Sequence, residues 1–114
     1  MQNQEDPVLF RGYVKKENGH WVAVCVDLNI VAQATSADEA VKDCFELVKE
    51  YLDYVCSTYP NQIAEYIPRS APHELIEEYY AILARVISSK KPVRNRRLYD
   101  FPIKRQELSH CHVS

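Results

Sequence analysis

Three residues whose side chains could take part in catalysis or metal binding lie close together in the sequence: His20, Cys25 and Asp27. Asp27 ends an apolar run, where an enzyme can place a metal-binding carboxylate. A metal-dependent nuclease, however, needs further carboxylates that converge from other strands. The remaining acidic residues occupy mostly solvent-facing helical positions. The sequence therefore favours a turn-stabilising role for Asp27.

The C-terminal sequence His110-Cys111-His112 contains side chains that zinc prefers. A structural zinc site needs four converging ligands, and adjacent residues at a chain end point in different directions. No segment resembles a nucleophile elbow or an activated cysteine. The two glycines, Gly12 and Gly19, do not form a phosphate-binding loop. We therefore predict a protein that is not an enzyme and that uses no metal or cofactor.

The best candidate for binding an anion is the basic segment KKPVRNRR, residues 90–97. Residues 1–89 carry seven Lys/Arg against fourteen Asp/Glu, whereas residues 90–114 carry seven against two. Basic side chains neutralise phosphates, and the nearby Tyr99 and Phe101 can stack on bases. A solvated tail, or pairing with the acidic body of another subunit, explains the same charges. The candidate nucleic-acid-binding residues are Lys90, Lys91, Arg94, Arg96 and Arg97.

The cysteines and the termini bear on the cellular compartment. The N-terminal sequence MQNQEDPV is polar and acidic, unlike a signal peptide. No apolar run approaches the roughly 18 residues that a membrane helix requires. We therefore predict a cytoplasmic protein with no membrane contact, in which buried free thiols are favoured over disulfides. The four cysteines are Cys25, Cys44, Cys56 and Cys111.

The first half of the chain has the pattern of a small sheet. Residues 8–16 alternate between an apolar and a mixed face, which is typical of a strand covered on one side. Asn18-Gly19 then predicts a two-residue hairpin turn. The next run, residues 20–28, is apolar on both faces and is predicted to be a central strand. Residues 30–34 form a short third strand.

Two helices are predicted after these strands. Ser36 and Glu39 have the spacing of a capping box, and an amphipathic helix of about five turns follows. A second helix covers residues 73–88 and ends before Pro92. Several aromatic residues in this half suit either the core or a subunit interface. The candidate oligomer-interface residues are Tyr79, Tyr80, Tyr99 and Phe101.

The segment after the second helix allows two interpretations. Residues 97–103 alternate like an edge strand, where proline is tolerated. They equally suit an arm that packs on a neighbouring subunit. The predicted fold class is α+β: an antiparallel sheet of three or four strands with two helices packed on it. The predicted organisation is an α+β domain at residues 1–89 and a basic C-terminal arm or tail at residues 90–114.

Two motifs in this layout match a known family. WVAVCVDL, residues 21–28, contains a tryptophan, small residues and an Asp-Leu turn. ATSADEAV, residues 34–41, is a helix start with Ser36 where the family usually has threonine. With these motifs, residues 8–55 resemble the N-terminal domain of HicB-like antitoxins.

The chain also departs from that family. Ala34 stands at the usual glycine position, and Asn29-Ile30 replaces a frequent Pro-Gly. Nothing beyond residue 57 matches, and no helix-turn-helix or ribbon–helix–helix segment of the kind that binds operator DNA is present. The resemblance therefore covers less than half of the chain.

The resemblance implies a partial ribonuclease-H-like fold without nuclease residues. It implies an antitoxin that binds a small, basic, mRNA-cleaving toxin of the HicA type, or an orphan member that retains only the fold. The acidic body would attract such a partner, and homo-oligomers are common in the family. The alternative function is RNA or DNA binding through the basic segment at residues 90–105.

Overall fold

The computed structural model describes residues 8–89 and 95–104. Within these residues the strands form one antiparallel sheet in the order β3 (Ile30–Ala34), β2 (His20–Cys25), β1 (Val8–Glu17) and β4 (Arg96–Ile103). This sheet confirms the predicted α+β class, and it shows that residues 97–103 belong to an edge strand. The elements are β1 Val8–Glu17, β2 His20–Cys25, β3 Ile30–Ala34, α1 Ala37–Thr58, α2 Ile63–Tyr66, α3 His73–Ser88 and β4 Arg96–Ile103.

The first hairpin forms as its turn residues predict. Asn18 and Gly19 have positive φ angles of 52° and 81°, which suit a type I′ turn. The turn sets Glu17 opposite His20, and the register then runs along the whole β1–β2 pair. β2 lies between β1 and β3, so its two apolar faces are both used.

Helix α1 begins with the predicted capping box. The Ser36 Oγ accepts a hydrogen bond from the Glu39 amide at 3.2 Å. The acidic side chains of Asp38 and Glu39 lie in the first turn, where the helix dipole favours negative charge. The helix is amphipathic, and it covers one face of the sheet, which we call the α1 face. The buried residues of this core are Phe10, Val14, Ala23, Cys25, Leu28, Ala32, Ala37, Ala40, Cys44, Val48, Leu52, Phe101 and Ile103.

Gly12 allows the core of the α1 face to close. A Cβ atom at this position would lie 2.3 Å from the Phe101 ring and 2.3 Å from the Val24 carbonyl oxygen. No side chain fits in that space, because both neighbours belong to adjacent strands. The Phe101 ring of β4 therefore packs directly over the β1 backbone.

Helix α3 covers the opposite face, which we call the α3 face. Tyr13 and Val24 of the sheet are fully buried there, together with Ile82 of α3. The segment before α3 is fixed by two backbone hydrogen bonds to the turn after β2, from Arg69 N to Asp27 O and from Ala71 N to Val26 O. The sheet thus lies between two helices, α1 on one face and α3 on the other.

The connection between α1 and α3 contains one element that the sequence pattern did not indicate. Residues 57–72 contain three prolines, yet the short helix α2 forms among them at Ile63–Tyr66. The side chain of Ile63 is buried against Val55 and Cys56 near the end of α1. This contact packs α2 against the C-terminal end of α1.

Candidate functional site

The densest polar cluster joins β1, the turn after β2 and α3. The Asp27 carboxylate accepts a hydrogen bond from the Arg11 amide at 2.7 Å and pairs with Arg11 Nη2 at 2.9 Å. Arg11 Nη1 donates to Tyr80 Oη at 3.1 Å, and the guanidinium lies 5.6 Å from the centre of the Tyr79 ring. These contacts give Asp27 a structural role at its turn, as the sequence favoured.

The charge state of Asp27 agrees with that role. Burial on its own raises the pKa of this carboxyl, but the hydrogen bonds and charge of Arg11 outweigh burial, and the pKa is lowered. The hydrogen bond to Asp27 in turn raises the pKa of Arg11. A general base works best with a pKa near the pH of the reaction. Asp27 instead remains ionised and paired.

A second polar cluster is centred on Glu78 of α3. Its two carboxylate oxygens accept hydrogen bonds from Tyr13 Oη at 2.6 Å and from Lys15 Nζ at 2.7 Å. Lys15 also pairs with Glu17 at 3.1 Å. Burial opposes the ionised form of Glu78, yet the bonds from Lys15 and Tyr13 lower its pKa. One carboxylate therefore ties α3 to two residues of β1.

Within the described ranges, no three His, Cys, Asp or Glu side chains converge as metal ligands would. In the same residues, every buried side-chain nitrogen or oxygen atom has a hydrogen-bond partner. His20 is exposed, and its Nδ1 lies 3.2 Å from the Asn18 carbonyl oxygen. The two polar clusters are therefore mutually satisfied contacts between elements.

The cysteines differ from one another. Cys25 and Cys44 are buried free thiols, as predicted, and burial raises the pKa of each to about 12. Such thiols stay protonated and are poor nucleophiles at neutral pH. The expectation of a free thiol is wrong for Cys56, which is disulfide-bonded. Cys111 lies outside the described residues, as do His110 and His112.

The predicted nucleic-acid-binding residues are only partly described. Lys90, Lys91 and Arg94 lie outside the described residues. Arg96 and Arg97 are consecutive in β4, so their side chains point to opposite faces of the sheet. Arg96 is half-buried on the α3 face, and the exposed Arg97 guanidinium lies 5.4 Å from the centre of the Tyr99 ring.

The predicted interface residues are also distributed over both faces. Tyr79 and Tyr80 lie on α3 beside Arg11, and Tyr80 is the more exposed of the two. Tyr99 is half-buried in β4. Phe101 is 1% exposed, because strand alternation places it in the core of the α1 face. Phe101 therefore offers no surface to another subunit.

The outer side of α1 carries a surface whose residues were predicted only to face solvent. This helix contains six acidic and two basic residues, all exposed. Two apolar residues, Leu47 and Tyr54, are exposed beside the acids. Helical spacing places these side chains in one strip along the helix. We call this strip the acidic ridge: Glu39, Asp43, Glu46, Leu47, Glu50, Asp53 and Tyr54.

Arg11 and Glu78 were also not predicted from the sequence. A signal for Arg11 was present, since the two-residue turn places Arg11 opposite Val26, one residue before Asp27. Glu78 had no comparable signal. Its partners on β1 are 65 and 63 residues away in sequence and depend on where α3 docks.

Among the described helices, none combines the length and the apolar character needed to cross a bilayer. Helix α1 has the length, but charged residues occupy its outer side. Comparisons of this chain with family models, with curated proteins and with solved structures found no match.

Proposed function

We propose that this chain is a non-catalytic, HicB-like binding protein that neutralises a small basic protein, a toxin of the HicA type. The observation that carries the proposal is the acidic ridge of α1. This helix begins inside the ATSADEAV motif and lies almost wholly within the region of resemblance, residues 8–55. The resemblance and the candidate surface thus coincide.

The composition of the acidic ridge suits a basic partner. Six acids against two bases give α1 a formal net charge of −4. Complementary charge speeds the encounter with a basic protein and disfavours acidic ones. Leu47 and Tyr54 add exposed apolar area within the strip. Aromatic and apolar residues supply much of the binding energy once an interface excludes water.

The polar clusters of the α3 face support binding over catalysis. Arg11, Asp27 and Glu78 have the residue types of an active site, but each is engaged by a neighbouring element. The contacts lower the pKa of Asp27 and of Glu78, which favours the charged form of each carboxyl. Catalytic acids and bases are usually tuned toward neutral pH instead. These residues hold the fold.

The experiment is a binding titration of this chain with a purified small basic toxin of the HicA type. Replacing Glu46 and Glu50 together with lysine should weaken binding at least about tenfold at low salt, and the loss should shrink as salt rises. A matched control replaces two exposed acids elsewhere, Glu65 and Glu74, with lysine. It makes the same change in net charge and should alter affinity less than about threefold.

Two results would overturn the proposal. One is no measurable complex between the two purified proteins. The other is an equal loss of affinity in the ridge variant and its control, since that would show a general effect of net charge. Thermal melting of both variants checks that each remains folded.

The second candidate function is binding of RNA or DNA through residues 90–105. One described feature favours it: the exposed Arg97 lies beside the Tyr99 ring, a pairing that suits a phosphate and a base. Deleting the whole C-terminal segment would be a poor test, because β4 pairs with β1 along its length. Arg97→Gln is cleaner and should lower affinity for mixed oligonucleotides and reduce the salt slope by about one. An unchanged slope would exclude Arg97 from such a site.

A further inference from the structure

Strand β4 presents an edge that no described strand covers. It pairs with β1 on one side and ends the sheet on the other. The Lys16 amide donates to the Asn95 carbonyl at 2.8 Å, and this bond sets the alternation along the pair. Residues 97, 99, 101 and 103 therefore bond to β1, while Arg96, Leu98 and Asp100 direct their backbone groups outward.

The outward-facing residues are complementary to themselves. When two β4 strands lie antiparallel with Leu98 opposite Leu98, Arg96 of each copy faces Asp100 of the other. Backbone donors and acceptors match at all three positions, because the same residues point outward in both copies. On the other face, Arg97 of each copy meets Tyr99 of the other, the pairing already present within one chain.

Neighbouring registers lack this complementarity. Centring the pair on Tyr99 sets Arg96 opposite Pro102, which has no amide hydrogen, and sets Leu98 opposite Asp100. Centring it on Arg97 places two arginines directly opposite each other. The charge pattern of β4 therefore selects one register.

Helix α3 also points to an extension of the sheet at this edge. Tyr79, Ile82 and Val86 follow one stripe along the helix, and Ile82 is buried against the sheet. Val86 is nevertheless 44% exposed, and Ile87 beside it is 75% exposed. Helix α3 contacts β4, and the described sheet leaves the apolar side chains of the last helical turn exposed. A second sheet joined at the β4 edge would offer these side chains a surface to pack on.

We propose that two copies of this chain pair through β4 in antiparallel register about Leu98, forming one continuous eight-stranded sheet. The last turns of the two α3 helices then lie on the same face, and Val86 and Ile87 become buried between the copies. This self-association uses β4 and α3, whereas the proposed partner binds α1. The two proposals can therefore fail independently.

The decisive experiment is a charge swap followed by sedimentation velocity over a concentration series. Asp100→Arg sets two arginines opposite each other twice in the dimer, so the dissociation constant should rise at least about tenfold. Arg96→Asp should act in the same direction. The double variant Arg96→Asp/Asp100→Arg restores both pairs and should return the dissociation constant to within about threefold of the parent. Glu65→Arg on α2 is the matched control and should change nothing.

The swap separates pairing between copies from effects within one chain. In the same chain, Asp100 lies opposite Arg11 and Arg96 opposite Lys15, so melting curves must accompany each variant. Repulsion between Arg11 and the arginine introduced at position 100 would persist in the double variant, whereas pairing between copies would be rescued. A monomer at about 100 μM, or single variants that dimerise like the parent, would refute the proposal.

Hydrogen exchange followed by NMR gives an independent check. In the dimer, the amides of Arg96, Leu98 and Asp100 should be protected like those of Arg97 and Tyr99. In Asp100→Arg only the outward-facing set should lose protection. Fast exchange of the outward-facing set in the parent protein would contradict the pairing.

Discussion

Helix α1 contains seven buried residues, whereas α3 on the opposite face of the sheet contains one, Ile82. Helix α3 is instead held by polar contacts: Glu78 accepts hydrogen bonds from Tyr13 and Lys15 and pairs with the Lys15 ammonium, and Tyr80 accepts one from Arg11. Apolar burial stabilises by roughly 1.5–3 kcal/mol for a large side chain, and a typical hydrogen bond by about 1 kcal/mol. We therefore expect α1 to be the stable half of the molecule and α3 the half that opens first.

The largest expected loss of stability comes from truncating a buried side chain of the α1 face. Leu52→Ala removes a large buried side chain and should lower the free energy of unfolding by about 2–5 kcal/mol. Leu47→Ala on the exposed side of the same helix is the control and should cost less than about 0.5 kcal/mol. Urea titrations followed by circular dichroism measure both. Equal losses would mean that burial on α1 is not the main source of stability.

A smaller effect should come from the α3 face. Glu78→Gln removes the charge that Tyr13 and Lys15 share, and should cost about 1–3 kcal/mol. Glu77→Gln, one residue away and exposed, loses only a surface pair with His73 and should cost less than about 0.5 kcal/mol. Hydrogen exchange should speed up in α3 more than in α1. Uniform acceleration would show that the two helices open together.

Lowering the pH should destabilise the α3 face before the α1 face, without any mutation. The pKa values of Asp27 and Glu78 are lowered in the folded protein, because hydrogen bonds and opposite charges outweigh burial. Their stabilisation is present above the unfolded carboxyl values of about 4 and is lost as pH falls through the lowered folded values. The protection factors of the α3 amides, which correct for the slower intrinsic exchange in acid, should therefore fall below about pH 4 while those of α1 stay high. Simultaneous loss of both helices would contradict this.

The smallest effect should come from the rim of the α3 face. Tyr80→Phe removes only the bond from Arg11 Nη1 at 3.1 Å, which lies in solvent. The expected cost is at most about 0.5 kcal/mol by urea titration. A cost comparable to that of Glu78→Gln would mean that the Arg11 cluster, rather than Glu78, holds α3.

The same contrast explains what the sequence could predict. The hairpin at Asn18-Gly19 and the capping box at Ser36 are local, because their chemistry acts between residues at most three apart. The pattern of α1 was similarly readable, since its whole apolar side faces one sheet. Local signals of this kind were sufficient for the fold class.

The candidate surfaces were less predictable because they depend on tertiary placement. The sequence places Arg96 and Arg97 in one basic segment, but in strand β4 their side chains point to opposite faces of the sheet. Phe101 was predicted to lie at a subunit interface, yet its ring packs in the core, in the space that the missing side chain of Gly12 leaves. The docking of α3, and with it the role of Glu78, rests on contacts across more than sixty residues. Residue type alone does not encode them.

The most direct test of the proposed function is an NMR titration of the labelled chain with a purified small basic toxin of the HicA type. We expect chemical-shift changes along the acidic ridge, centred on Leu47, Glu50 and Tyr54, with little change at the Arg11–Asp27 cluster. Changes confined to α3 and β4, or none at equimolar partner, would contradict it.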